Sequence, residues 1–253
     1  METSVNGVLG GRLQLRQPKK GYRVAIDPIL LAAAIPARAG DQVIDAGCGV
    51  GTAGLALARR VPGVQVTGVE LQQPLADLAE ENAASNDLSE SVSIVCADIL
   101  QGNIGLTSGT YDHVIANPPY MKAGEATPPP DPIAAIAVVE GEAGLADWVE
   151  FAARMLRPAG RATFIHRADR LPGLAKAMMT ARFGDVRIFP LWPNATAAKG
   201  DPAKDARRVI VSGVLGGDGP SQRLDGMVLH DGDGGFMAEA EAVLRHGNGI
   251  DLL

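Results

Sequence analysis

From residue 42 onward the chain alternates short apolar runs with longer amphipathic ones, and this alternation constrains the fold more than any other feature. Gln42–Ala46, Val64–Val69, Val92–Cys96, Tyr111–Ala116, Arg161–Ile165, Val186–Leu191 and Arg208–Leu215 read as strands. Thr52–Arg60, Pro74–Asn86, Leu145–Leu156 and Leu171–Ala181 read as helices. In the second of these, Leu75, Leu78, Ala79 and Ala83 recur at helical spacing behind a first-turn proline. Val61-Pro62-Gly63 and Arg157-Pro158-Ala159-Gly160 stop two of the helices. Strand and helix in rotation predict an α/β fold: a mostly parallel sheet with helices on both faces. The last two of the seven strands have no helix between them, which predicts an antiparallel strand added at the sheet edge.

Two segments break the rhythm. Residues 1–41 hold a glycine-punctuated, hairpin-like stretch, Val5 to Arg16, and a short helix, Asp27 to Ile35, with Asp27 as N-cap and Pro28 at its first position. They read as an N-terminal extension packed on a catalytic domain of residues 42–253. Residues 121–142 include a proline run and make an unusually long connection, the kind that serves as a lid or binding segment. Met237 to Arg245 reads as a closing helix.

Composition narrows the class. Hydrophobic residues are 46% of the chain, enough for a substantial core. Two cysteines, Cys48 and Cys96, make neither a disulfide framework nor a metal knuckle. The longest apolar run, Ile29–Ile35, falls well short of the ~18 residues that span a bilayer. The first residues lack the basic-then-apolar order of a signal peptide. A cytoplasmic protein with no membrane segment and no metal is expected. The net charge of −6 is not the usual footprint of a nucleic-acid binder. The basic residues nevertheless cluster: Arg12, Arg16, Lys19, Lys20 and Arg23; then Arg154, Arg157, Arg161, Arg167 and Arg170; then Lys199, Lys204, Arg207 and Arg208. These are either solvated faces or parts of a basic surface on an acidic body.

Four motifs sit where strands end. The first, Asp45-Ala46-Gly47-Cys48-Gly49-Val50-Gly51, opens a helix with glycines that allow a tight turn and close approach to a ligand. Gly49, Gly51 and Gly54 satisfy the dinucleotide pattern G-x-G-x-x-G, which an NAD-dependent dehydrogenase would use. The same stretch satisfies D-x-G-x-G-x-G, whose acid favours a cationic or hydroxyl-rich ligand over a pyrophosphate. Glu70, ending the second strand, can accept both hydroxyls of a ribose. Asp98, after the third, can accept from an adenine amino group. The fourth strand ends in Asn117-Pro118-Pro119-Tyr120. Prolines donate no N–H, so this corner offers carbonyl acceptors, an amide and an aromatic ring, a set suited to a flat –NH2 group such as that of an extruded base.

The order DAGCGVG, GVE, CAD, ANPPY resembles the class I S-adenosylmethionine-dependent methyltransferases, in the branch that methylates exocyclic or amide nitrogens. Leu9 to Leu13, Gln17 to Arg23, Ile26 to Ala32 and Leu229 to Glu241 further resemble the bacterial methyltransferases of adenine 37 in valine tRNA. The resemblance implies a Rossmann-like, seven-stranded sheet with an antiparallel last strand, S-adenosylmethionine as cofactor and tRNA as partner. Asp45, Gly47, Gly49 and Gly51 would wrap the methionine part. Glu70 with Leu71 would hold the ribose, and Asp98 with Ile99 the adenine. Tyr22, Arg23 and Asp27 would lie near the cofactor, and Asn117, Pro118, Pro119 and Tyr120 would take the target base. His113 and His166, near strand ends, read as packing or surface histidines. A protein glutamine amide or a guanine of ribosomal RNA presents the same flat amine, so the corner alone does not separate these substrates.

Overall fold

The computed structural model describes residues 1–19, 25–120, 143–199 and 205–253. Two strands, β1 (Thr3–Val8) and β2 (Leu13–Pro18), precede helix α1 (Asp27–Ala33). The alternating body follows as β3 (Gln42–Ala46), α2 (Thr52–Arg60), β4 (Gln65–Glu70), α3 (Gln73–Ser85), β5 (Val92–Cys96) and β6 (Tyr111–Ala116). Then come α4 (Leu145–Met155), β7 (Leu156–Arg167), α5 (Leu171–Thr180), β8 (Phe183–Trp192) and β9 (Arg208–Leu215). Two-residue strands β10 (Gln222–Arg223) and β11 (Met227–Val228) and helix α6 (Ala238–His246) complete the order.

Among the described residues β3 to β11 form one nine-stranded sheet, ordered β10–β8–β9–β7–β6–β3–β4–β5, with β11 also on β8. The seven expected strands carry it, and the two short ones only lengthen its edge. All pairings are parallel except those of β9, which runs against both β7 and β8. The antiparallel strand therefore lies inside the sheet, not at its edge as expected. Val209, Ile210 and Val211 of β9 are fully buried, and a strand apolar on both faces belongs between neighbours. Of the seven expected strands β8 is the outermost on that side instead. It contains Pro190, which cannot donate to a ladder, and its outer neighbours β10 and β11 pair on either side of that proline.

The N-terminal hairpin pairs Val8 with Leu13 and projects Leu13 and Leu15 inward while Gln14 and Arg16 stay outside, a period of two. Leu13 and Leu15 join one apolar cluster with Leu30 and Leu31 of α1 and Leu55 and Leu57 of α2. Asn82 of α3 and Asn86, which caps its C-terminus, receive β2 as a neighbouring strand would. Asn86 accepts from Gln14 N–H at 2.9 Å and donates to Gln14 C=O at 2.8 Å. Asn82 accepts from Arg16 N–H at 2.7 Å and donates to the carbonyls of Arg16 and Val50 at 3.0 and 2.9 Å.

Asp27 is not the N-cap of α1. Ile26 occupies that position with no side-chain cap, and Asp27 is a buried residue of the first turn. No helix among the described residues is long and apolar enough to cross a membrane. The expected lid at 121–142, with Tyr22 and Arg23, lies outside the described residues.

Candidate active site

After β3 the chain crosses to β4 and β5 on one side, then returns to place β6 on the other side of β3. Such a reversal opens a crevice beyond the carboxyl ends of the strands, the usual ligand position in open α/β sheets. Ala46 and Ala116 are partners across the β3–β6 ladder, so the glycine loop and the Asn117–Tyr120 corner leave the sheet side by side.

A cavity of about 360 Å³ lies there, within the size range of small-molecule sites. Of the residues expected to bind a ligand, Asp45, Gly47, Gly49, Glu70, Leu71, Asp98, Ile99, Asn117 and Pro119 line it. Gly51, Asp27, Pro118 and Tyr120 do not. Gly51 opens α2 at φ +85° and faces Ala79 and Leu55, so it serves the turn and the packing rather than the cavity wall. Trp148 of α4 lines the cavity and the sequence reading missed it. Its ring lies where a Cβ on Gly47 would stand only 2.6 Å away, and Gly47 also has φ +66°. Glycine is required at that position on both counts.

The amides of Gly47, Cys48, Gly49 and Gly51, and of Gly54 in α2, are already committed. Gly47 and Cys48 donate to Val69 C=O at 2.7 and 3.0 Å, and Gly51 donates to Cys48 C=O at 2.9 Å. Gly49 donates to Glu70 Oε2 at 2.8 Å, and Gly54 donates to Asp45 Oδ2 at 2.9 Å. A pyrophosphate-binding loop keeps such donors for its ligand. This one instead turns them onto two carboxylates and two carbonyls.

Those carboxylates are buried beside the cavity. Burial pushes Asp45 up to about 7, against the lowering effect of the Gly54 N–H, and nearby Glu70 adds to the rise. Burial also raises Glu70 above its ordinary value, opposed by the amides of Gln72 and Gly49. Desolvated carboxyls at the wall of a cavity favour a cation or hydroxyl donors and repel an anion. Burial raises the Cys48 thiol too, which keeps it protonated and non-nucleophilic.

Much of the rest of the wall is apolar. Leu71 is 53% and Leu100 39% exposed, an unusual state for leucines beside a cavity and one that a flat ring would relieve. Asp98, also in the wall, accepts from Leu100 N–H at 2.9 Å. Thr52 Oγ1 and Trp148 Nε1, on the cavity residues, are buried without hydrogen-bond partners among the described residues.

At the corner, the Tyr120 hydroxyl lies between the carboxylate of Asp27 and the side-chain oxygen of Asn117, the latter at 2.6 Å. Asp27 also accepts from Arg208 Nε at 2.8 Å, and the Arg208 guanidinium sits 4.4 Å from the centre of the Tyr120 ring. Asp27 thus braces the corner rather than lining the cofactor cavity. One face of Tyr120, expected to meet a base, carries Arg208.

Neither His113 nor His166 lines the cavity. His166 lies edge-on to Tyr120, ring centres 5.3 Å apart, and accepts from Arg167 N–H at 2.8 Å. Burial, with Arg170 nearby, lowers it to about 4, so it is neutral at physiological pH. His113 faces Asp41 at 3.3 Å near the start of β6, the opposite end of the sheet, and burial lowers its pKa too.

The family described as methyltransferase small domain matches residues 23–189. A Porphyromonas gingivalis protein named tRNA1(Val) (adenine(37)-N6)-methyltransferase is 30% identical over 209 residues, covering 79% of this chain and 77% of its own. A protein of the same name from Tolumonas auensis is 30% identical over 170 residues, covering 66% and 69%. The crystal structure of a predicted O-methyltransferase from Agrobacterium tumefaciens superposes with a TM-score of 0.71 at 23% identity, over 89% of this chain and 98% of that one. Geranyl diphosphate C-methyltransferase from Streptomyces coelicolor, crystallised with S-adenosyl-L-homocysteine, superposes at 0.54 and 18% identity, over 74% and 76%. At such identities these structures speak for the fold alone. The chain belongs to the methyltransferase small domain family, alongside relatives named tRNA1(Val) (adenine(37)-N6)-methyltransferases.

Proposed function

We propose that this protein is an S-adenosylmethionine-dependent methyltransferase acting on the exocyclic nitrogen of adenine in tRNA, with adenine 37 of valine tRNA as the target. The observation that carries the cofactor is the glycine loop, whose amides bind Asp45, Glu70 and backbone carbonyls while those acids remain beside the cavity. The same observation disfavours a nicotinamide dinucleotide, whose pyrophosphate would find buried carboxyls in place of donors.

S-Adenosylmethionine, when bound, supplies a methyl group activated by a sulfonium. Asp45 would face its positive end. Glu70 would accept from the ribose hydroxyls, since each of its oxygens holds one amide and retains a lone pair. Leu71, Ile99 and Leu100 would sandwich the adenine, and Asp98 would accept from its amino group.

The Asn117 side-chain oxygen and the Pro118 carbonyl would take the two N–H bonds of the target amine. That draws the nitrogen toward tetrahedral geometry and frees its lone pair, while the rigid prolines hold the direction of approach. Acceptors fixed before reaction cost no reorganisation during it. Once methylated, the nitrogen is acidic enough to lose its proton to water, which fits the absence of either histidine from the cavity wall.

The relatives' names favour tRNA over a glutamine amide or ribosomal guanine. The test supplies the protein with methyl-labelled cofactor and separated pools of unmodified tRNA, ribosomal RNA and protein. Label confined to tRNA, recovered as N6-methyladenosine by nucleoside mass spectrometry, is the expected result. Label in protein, or as a methylated guanine, would reassign the substrate.

A further inference from the structure

The two ends of the sheet differ in what they offer a polyanion. Helix α3 and the segment after it, packed on β4 and β5, expose Asp77, Glu80, Glu81, Asp87 and Glu90. Of these, Glu81 pairs with Arg16. A phosphate backbone is repelled there. At the other end, β9 runs against β8 with Arg208 opposite Leu191. The same register, carried one step further, sets Arg207 opposite Trp192, the last residue of β8. Arg207 C=O accepts from Ala168 N–H at 3.3 Å, which keeps its backbone on the ladder. Successive residues of an extended strand point to opposite faces. Arg208 turns onto Asp27 and Tyr120, so Arg207 leaves from the other face, that of Trp192. Arg207 is exposed, and its guanidinium has no ion pair or hydrogen bond among the described residues. Arg223 is exposed too, with its guanidinium 5.7 Å from the centre of the Trp192 ring. The indole is buried and its Nε1–H donates to Asp225 C=O at 2.8 Å, a rigid footing for the cations rather than a stacking face. Trp192, Arg223, Asp225 and Val228 line a hollow of about 600 Å³ at this edge.

We propose that Arg207 and Arg223, set around Trp192, form the surface that receives the phosphodiester backbone of tRNA beside the target adenine. The RNA then lies across the β7–β9–β8 edge and away from α3. Arg208, one residue from Arg207, sits 4.4 Å from the centre of the Tyr120 ring, which places this surface next to the Asn117–Tyr120 corner. Guanidinium forks match phosphate oxygens, and such contacts fix the register of a nucleic acid without reading its sequence. The inference rests on the tRNA reading and adds where the RNA lies.

The experiment measures tRNA binding by fluorescence anisotropy across a salt titration, with the affinity for S-adenosylhomocysteine determined by calorimetry on the same preparations. Arg207→Met and Arg223→Met keep an apolar stem and remove the charge. Each should weaken tRNA binding about tenfold, the scale of one charged hydrogen bond, with S-adenosylhomocysteine affinity unchanged. Each should also make the log–log salt slope shallower by about 1. Arg38, exposed four residues before β3 at the amino end of the sheet, is the control. Arg38→Met should bind tRNA within about twofold of the wild type, since exposed charges beyond a Debye length are largely screened. Arg207→Met and Arg223→Met binding as tightly as the wild type would overturn the proposal. So would an Arg38→Met that loses as much, which would mark a diffuse effect of net charge. Should Arg223→Met disturb the packing of Trp192, Arg223→Lys decides: restored binding supports the phosphate contact, and a loss equal to that of Arg223→Met overturns it. A wild-type protein that neither binds nor methylates tRNA removes the substrate reading itself, whereas methylated tRNA beside unaffected arginine variants removes only this surface.

Discussion

Asp45 and Glu70 show how much of the chemistry lies in single residues. Each lies at the end of a strand, is buried, and accepts from a glycine amide nine or twenty-one positions away in the chain. The Asp45 carboxyl binds its proton more tightly in the folded chain, at about 7, than at its ordinary 3.8. Its stabilising effect on the ligand-free fold is therefore complete below about pH 3.8 and is lost as pH rises through 7. A cationic cofactor selects the ionised form, so its affinity should rise with pH toward 7 and level off above. Below that point the fall should approach tenfold per pH unit. Calorimetric titrations of S-adenosylmethionine across this range check it, with Asp45→Asn expected to flatten the profile. A wild-type profile that is already flat would detach Asp45 from the cofactor. The acids were legible because each stood at a strand end, beside glycines or in the ribose position. Trp148 was not: its place against Gly47 depends on how α4 lies over the loop, which no local pattern reveals. Nor was the partnership of Asp27 with Tyr120 and Arg208, which joins residues 93 and 181 positions apart.

At the scale of elements, most strand and helix boundaries followed hydrophobic period. An exception is β7, which begins at Leu156 and takes in Arg157–Gly160, read from the sequence as a helix stop. Neighbour relations did not follow that period. Arg208–Leu215 reads equally well at an edge or inside a sheet until Pro190 is weighed, since a proline within Val186–Leu191 marks that strand as the outer of the two. The docking of β2 on α3 was likewise hidden. Asn82 and Asn86 look like ordinary polar positions on a helix, yet Asn82 is fully buried and satisfies three backbone groups of β2 and the glycine loop. Asn82→Ala should leave those groups unpaired and lower stability by about 3 kcal/mol, a fall in Tm of roughly 6–12 °C by calorimetry. A loss under about 1 kcal/mol would mean the hairpin is held by Leu13 and Leu15 alone.

Over the whole molecule, the basic groups of the sequence are thinner than their count suggests. Arg16 pairs with Glu81 at 3.3 Å, Arg157 with Asp112 at 2.6 Å, and Arg167 with Asp169. Arg154 is turned onto the carbonyls of Ile99 and Gln101 at 3.1 and 3.0 Å. Among the described residues these four arginines are already engaged within the chain, which carries a net charge of −6. Association with tRNA should therefore weaken with salt along a shallow log–log slope, about −2 to −4, where a strongly basic binder would be steeper. Binding that does not change across the titration would speak against a nucleic-acid substrate.

The central claim is that a rigid acceptor at the β6 corner grips a flat amine next to a cationic cofactor. Its most direct measurement is single-turnover methylation of tRNA by Asn117→Ala, with cofactor affinity determined on the same preparation. The account predicts a rate lower by about 10²–10³, as for loss of one preorganised transition-state contact, with the cofactor bound as tightly as before. A near-normal rate, or a loss fully explained by weaker cofactor binding, would contradict it.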